Sequence, residues 1–231
     1  SQKKMTAVEE NWSRIIRKVL VCGKDRRHEE YFMNENELRK LCKQLMYCYA
    51  INRRSSAPAQ LWITSMRGKL LELMERLHHS YHNWDCKVTD KHWTEVLFSN
   101  NIVDYKSNPK IIYLTGDAKA TIPDCQQIKE SNDYVFIIGG LIDHNRHKCL
   151  CLKRAREEFQ MNYGQLPIGE HIQMNQRRIL SIPHVYEIML LASNGMIDNN
   201  FSWTNIFQKV IPNRKLQLSS SFSSIYKVVF C

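Results

Sequence analysis

The residues best suited to chemistry in this chain are Gly139-Gly140-Leu-Ile-Asp143 and the charges that follow them. Neither glycine carries a Cβ, so the backbone can turn there or let a ligand approach closely. Asp143 then offers a carboxylate among Arg146, Lys148, Lys153 and Arg154. The apolar run Tyr134–Ile138 in front reads as a buried strand. An acid just past a strand end is where an α/β protein usually places chemistry. Such a carboxylate can accept a proton or orient a substrate. It can equally cap the following helix, and on residue types alone neither reading wins.

Other reactive side chains stand close by. His144, His147, Cys149 and Cys151 invite a zinc reading. They are crowded into one short stretch with no second ligand pair at finger-like spacing, so Cys149 and Cys151 are expected to pack and no metal is assigned. His78, His79 and His82, with Trp84 and Trp93, read as a capping and packing region. The chain has no G-x-G-x-x-G after a strand, no G-x-x-x-x-G-K-[ST] and no G-x-S-x-G. Dehydrogenase, kinase and hydrolase readings therefore lose ground.

These residues need elements to hold them. Arg17–Cys22 reads as a first strand. Asn34 and Glu37 match a capping box. Behind them Leu38, Leu41, Cys42, Leu45, Met46 and Tyr49 recur at helical spacing, with Lys40, Lys43 and Gln44 falling away from that face. This helix runs into Asn52-Arg53-Arg54. Beyond the breaker Ser55–Pro58, Gln60–Thr64 reads as a strand and Lys69–Leu77 as a helix. Lys110–Leu114 is a strand stopped by Thr115-Gly116-Asp117. A helix is expected from about Lys148 to Phe159, and a short strand over Tyr163–Leu166 closed by Pro167-Ile168-Gly169. Ile179–Ile182 is a further apolar run, Pro183 opens a helix, and Trp203–Val210 makes one more. Alternating strands and helices predict an α/β class with a mostly parallel sheet. The expected organisation is a basic arm over 1–16, one domain over 17–215 and a Ser-rich, then apolar, tail over 216–231.

Composition narrows the partners. Lys and Arg outnumber Asp and Glu to give a net charge of +10 across 231 residues. Clustered basicity points to a polyanion. Eight cysteines without a C-x-x-C pair read as reduced thiols of an intracellular compartment. No run approaches the ~18 apolar residues of a membrane span, and the start carries no signal-peptide core. The opening Ser1-Gln2 suggests that the natural N-terminus lies upstream.

Six segments stand in a telling order. They are Cys48-Tyr-Ala-Ile-Asn-Arg-Arg54, Ile112-Tyr-Leu-Thr115, Ile138-Gly-Gly-Leu-Ile-Asp-His-Asn-Arg-His-Lys148, Leu166-Pro-Ile-Gly-Glu170, His184-Val-x-Glu-Ile188 and Pro212-Asn-Arg-Lys215. Together they resemble the tRNA (guanine(9)-N(1))-methyltransferases of the SPOUT superfamily, over residues 15–215 and most closely over 111–190. The resemblance implies an α/β SPOUT fold with helices on both faces and a deep C-terminal trefoil knot, an exception to the rule that chains do not thread loops. It implies S-adenosylmethionine as cofactor, held largely by backbone groups. The contacts it assigns are Leu114, Thr115, Gly140, His144, Asn145, Arg146, His147, Lys148, Cys151, Leu166, Arg178, Ile179 and Leu180. Asp143 matches the family's proposed proton acceptor. Arg53, Arg54, Lys153, Arg154, Arg177, Arg214 and Lys215 become candidates for tRNA phosphates.

The implied reaction is methylation of ring nitrogen 1 of guanine, or adenine, at position 9 of tRNA, by a monomer in nucleus and cytoplasm. The alternative is a mitochondrial relative that serves as the tRNA-binding subunit of protein-only ribonuclease P, with dehydrogenase and nuclease partners. Outside the family, a pure RNA-binding module would explain the charge but not the Gly-Gly-x-x-Asp loop. The chain also departs from the family pattern. No acid follows strand one until Asp25, and Pro183 stands where Asn is usual.

Overall fold

The computed structural model describes residues 18–22, 33–99, 106–131, 133–142, 146–173, 180–195, 201–212 and 216. Asp143, His144, Asn145, Arg177, Arg178, Ile179, Arg214 and Lys215 lie outside the described residues, as do the arm 1–16 and the tail beyond Leu216.

A parallel sheet positions everything else. Its strands are β1 (Lys18–Cys22), β2 (Gln60–Thr64), β3 (Lys87–Val88), β4 (Ile111–Leu114), β5 (Val135–Gly139) and β6 (Tyr163–Gly164), in the spatial order β3-β2-β1-β5-β4-β6. Lys18 lies opposite Gln60 on one side and Val135 on the other, and all the strand pairs are parallel. Parallel neighbours require crossovers, and helices supply them. These are α1 (Glu35–Arg54), α2 (Gly68–Leu77), α3 (Trp93–Ser99), α4 (Cys125–Glu130), α5 (Leu150–Lys153), α6 (Ile168–His171), α7 (Ile182–Asn194) and α8 (Trp203–Val210).

Strand side chains alternate between two cores. Leu61, Ile63, Ile112, Leu114, Phe136 and Ile138 face the larger one, together with buried residues of α1, α2, α4, α7 and α8. Ile111, Tyr113, Val135 and Ile137 face the smaller one, with Trp93, Ala155 and Phe159. Helices therefore cover both faces, as expected for strands apolar throughout. The ring centroids of Trp93 and Phe159 lie 4.9 Å apart, edge to face.

Helix α1 shows local and tertiary forces agreeing. Glu37 N donates to Asn34 Oδ1 at 3.0 Å, and Asn34 N donates to Glu37 Oε2 at 2.8 Å. Such a cap is worth about 1 kcal/mol. Burying Leu38, Leu41 and Leu45 is worth about 1.5–3 kcal/mol for each side chain. Packing fixes this helix, and the cap fixes where it starts.

Two expectations change. The predicted helix 148–159 is α-helical only over Leu150–Lys153 and widens to a π-helix over Arg154–Glu158. Phe159 N donates to Arg154 O at 2.8 Å, a five-residue step. That step seats Ala155 and Phe159 in the smaller core. The strand expected over Tyr163–Leu166 stops at Gly164, because Gln165 bridges to Thr121 and Leu166 turns away into α6.

Candidate functional site

Because β4, β5 and β6 are parallel and in register, their C-terminal ends open on one edge, where ligands of open α/β sheets bind. A cavity of about 440 Å³ lies there. Its first wall is the end of β4 and the turn after it, Leu114 to Asp117. The second is the end of β5 and the start of α5: Ile138, Gly139, Leu141, His147, Leu150 and Cys151. The third joins Gln165, Leu166, Ile168 and Gly169 to Leu180, Ile182 and Val185.

Hydrogen bonds stitch these walls together. Thr115 N donates to Gly164 O at 3.0 Å, Ile122 N to Gln165 O at 2.9 Å, and Gln165 N to Ala120 O at 3.0 Å. Cys149 N reaches across to Asp117 Oδ2 at 3.2 Å. Cys149 takes a left-handed backbone, φ 57°, to open α5. The start of α7 is fixed from α1, where Gln44 Oε1 accepts from Ile182 N at 3.0 Å.

The lining mixes apolar side chains such as Leu114, Leu166 and Ile182 with polar groups from Thr115, Asp117, His147 and Gln165. A Cβ built on Gly139 would lie 3.1 Å from Tyr113 Oη and 3.2 Å from Cys151 Sγ, whereas one on Gly116 would meet nothing within 4 Å. A side chain at Gly139 would therefore fill space that the cavity wall now uses. Asp117 is the one carboxylate among the described lining residues, and none of them is Lys or Arg.

Of the predicted cofactor residues, the structure brings together Leu114, Thr115, His147, Cys151, Leu166 and Leu180. Gly140 is buried beside them, but Gly139 supplies the lining. Arg146 and Lys148 are outside it. The Arg146 guanidinium instead bonds Glu37 Oε2 at 2.9 Å, so the helix-capping acid also holds the loop after β5. Ile142 N donates to Met33 Sδ at 3.3 Å, so residues on both sides of 143–145 are held against the start of α1. Gly116, Asp117, Gln165 and Gly169 were missed. They flank the strand ends that were read, and that adjacency was the available signal.

Cys149 is exposed, against the expectation that it packs, because its backbone turns into the left-handed region just before α5 begins. Glu75, His79 and His82 bring possible metal-ligating atoms within 4.8 Å of one another. Tyr81 Oη donates to Glu75 Oε1 at 2.6 Å, and His82 Nε2 lies 3.0 Å from Glu75 Oε2, so the cluster is already hydrogen-bonded. Trp84 stacks on Tyr49 at 4.5 Å between centroids, as a packing region should.

The basic candidates separate. Arg53 and Lys153 are exposed, and Arg154 lies 3.9 Å from Glu158. Arg54 lines a second depression of about 500 Å³ between α1 and the start of α7. Its walls are Lys40, Lys43, Gln44, Tyr47, Ile51 and Arg54 from α1, with Ser181, Pro183, His184 and Glu187 opposite. Burial pushes the Glu187 carboxyl above its ordinary range, while Arg54 and Lys209 pull it back.

This architecture defines an α/β protein with a parallel sheet, helices on both faces and a cavity at the strand ends. The chain shares its fold with a crystal structure of spTrm10(74), at TM-score 0.66 and 30% identity over 85% of this chain and 94% of that one. A spTrm10 full-length structure in complex with SAH matches at TM-score 0.66 and 28% identity, over 86% and 98%. Rattus norvegicus tRNA methyltransferase 10 homolog A is 34% identical over 181 residues, 78% of this chain and 48% of that protein. The model of the family tRNA (guanine(9)-N(1))-methyltransferase TRM10/TRM10A matches residues 6–216, and the chain belongs to that family. It spans about half the length of the curated relatives it matches first.

Proposed function

We propose that this chain is an S-adenosylmethionine-dependent methyltransferase acting on ring nitrogen 1 of the purine at position 9 of tRNA, with guanine the first candidate. The observation that carries this is that the family match over 6–216 takes in every wall of the strand-end cavity. A related Trm10 structure holds SAH, which supports the cofactor class. The residues present also fit such a group. A volume of about 440 Å³ falls in the roughly 300–1,000 Å³ range of small-molecule sites. Gly139 lets the Tyr113 hydroxyl and Cys151 Sγ close up against the end of β5, where a Cβ would crowd them. Leu114, Leu166 and Leu180 offer an apolar bed, and the Asp117 carboxylate can accept from ribose hydroxyls.

Bound there, the cofactor would supply an electrophilic methyl group on a positively charged sulfur. A lining without Lys or Arg among its described residues does not repel that charge. Ring nitrogen 1 of guanine carries a proton and has no free lone pair until it is lost. Asp143 is assigned as the group that takes it, as a carboxylate just past the end of β5. Met33 and Glu37 hold the chain on either side of residues 143–145. Arg53, Arg54, Lys153 and Arg154 would meet tRNA phosphates, which orient the substrate without reading its sequence. Position 9 lies in the tRNA core, so the base must be exposed before it reacts.

Two finer assignments accompany this reading. The chain through β5, β6 and α7 is assigned to a deep trefoil knot, supported by three separate loops closing on one cavity. A crystal structure traced continuously over 139–195 tests it, and an unthreaded path would sink it. The protein is assigned as a monomer, and light scattering should return the 27.4 kDa of a single chain.

The activity is tested by incubating the protein with labelled S-adenosylmethionine and tRNA transcripts carrying guanine, adenine or a pyrimidine at position 9. Label and a reverse-transcription stop at position 9 are expected with guanine. Cofactor binding without label on any transcript would overturn the reading.

A further inference from the structure

We propose that the groove between α1 and α7 is a nucleic-acid groove, in which Tyr47 stacks on an unpaired base and Lys40, Lys43 and Arg54 hold the neighbouring phosphates. The proposal rests on the tRNA reading above and assigns it a surface that the cofactor chemistry does not use.

The argument starts from the two faces of α1. Leu38, Leu41, Cys42, Leu45, Cys48 and Asn52 are buried against the core. Lys40, Lys43, Gln44, Tyr47, Ile51 and Arg54 recur at three- and four-residue steps on another face and line the groove. Core packing therefore makes no demand for an aromatic ring at Tyr47, which keeps 43% of its surface exposed. Lys43 Nζ lies 5.8 Å from its ring centroid. A cation on one side of an exposed ring leaves the other side for a base. An aromatic platform set among cations is the arrangement that binds single-stranded nucleic acid. An acidic peptide would be served by the charges alone.

The position of the groove supplies the second observation. Residues 180–185 form a wall with different residues on its two sides. Leu180, Ile182 and Val185 line the strand-end cavity, while Ser181, Pro183 and His184 line the groove. An RNA strand in the groove is separated from the cofactor cavity by one segment of chain. Glu187 is the one acid among the groove's described residues, set against Lys40, Lys43 and Arg54. Its half-buried carboxyl is outnumbered three to one by the groove's cations.

The test uses the full chain and an unmodified tRNA transcript, with affinity measured over a salt series and cofactor affinity measured separately by calorimetry. K40E/K43E should weaken tRNA binding at least tenfold. It should also flatten the slope of log affinity against log salt by about 1.4–1.8, since each lost phosphate contact removes about 0.7–0.9. Tyr47→Ala should cost about 5- to 100-fold, and Tyr47→Phe should recover most of it, which separates stacking from misfolding. S-adenosylmethionine affinity should be unchanged in all three. Wild-type affinity and slope in the variants would overturn the proposal. So would variants that bind tRNA normally but lose binding of polyglutamate. Methylation of position 9 by the wild type, with tRNA binding unmoved in every variant, would remove the groove and leave the enzyme reading standing. Groove-dependent tRNA binding without any methyl transfer would do the reverse.

Discussion

The strand-end cavity and the α1–α7 groove lie on opposite sides of residues 180–185, and they sort charge in opposite ways. The described cavity lining contains no Lys or Arg, whereas the groove presents Lys40, Lys43 and Arg54. Two positive charges about 4 Å apart repel by about 4 kcal/mol near a protein surface. A single hydrogen bond returns about 0.5–1.5 kcal/mol. Keeping cations out of the cavity therefore matters more to a sulfonium ligand than any one contact made to it. The means differ as well. The cavity is made from strand ends and the turns that follow them, with Gly116, Gly139 and Gly169 among its lining residues. The groove is made from a helix face, where long side chains can be spaced at will. On the proposed function, the contrast would let a cationic cofactor and a polyanionic substrate be served from either side of one short segment.

The largest expected effect falls on neither binding surface. Asp143→Asn should lower single-turnover methyl transfer by about 10²- to 10⁴-fold, the usual worth of a positioned proton acceptor. Cofactor and tRNA affinities should stay near wild type. If tRNA or cofactor binding falls in step with transfer, Asp143 is a structural cap and the chemistry needs another acceptor. Next comes Gly139→Val, which should strike the cavity wall and the edge of the smaller core behind it. Its Cβ already meets Tyr113 Oη at 3.1 Å and Cys151 Sγ at 3.2 Å, and its methyl groups add to that crowding. Overpacking of this kind costs about 1–3 kcal/mol; falling on the cavity wall, it should lower cofactor affinity by about 5- to 150-fold. tRNA affinity should hold. Unchanged cofactor binding by calorimetry would take Gly139 out of the site.

These variants also mark what could be read from the chain. Asn34 and Glu37 announced the start of α1, and the apolar spacing behind them announced its buried face, because both signals are local. Gln60–Thr64 and Trp203–Val210 were legible to the residue for the same reason. The π-helical step at Arg154–Glu158 was not, since it answers to Trp93 and Phe159 meeting across the smaller core. Short elements such as β3 and α4 carry too few residues to show a period. The cavity was half legible. Leu114, Thr115, Cys151 and Leu166 came from motifs, but the choice of Gly139 over Gly140 depends on where Tyr113 and Cys151 arrive. The pairing of Arg146 with Glu37, 109 positions away, leaves no trace in the sequence.

The smallest effect sharpens the groove side of the comparison. Burial raises the Glu187 carboxyl above its ordinary range, against the pull of Arg54 and Lys209. The folded chain thus keeps this proton to a higher pH than the unfolded chain does. Between the ordinary carboxylate value and the raised one, the native state binds more protons than the unfolded state, so stability falls as pH rises through that window. Below the window the contribution is fully present, and above it the loss is complete and level. Glu187→Gln cannot ionise, so the difference between the variant and wild-type stability curves should step upward across that window and stay flat on either side. Urea unfolding at closely spaced pH values measures it. A difference curve with no step would mean that Glu187 is solvated like any surface acid. With one negative charge removed from the groove, tRNA affinity at low salt should rise by about fivefold or less, the worth of a single unit charge about 4 Å away in water. That modest gain, set beside the large loss expected from K40E/K43E, is what a groove built for phosphate predicts.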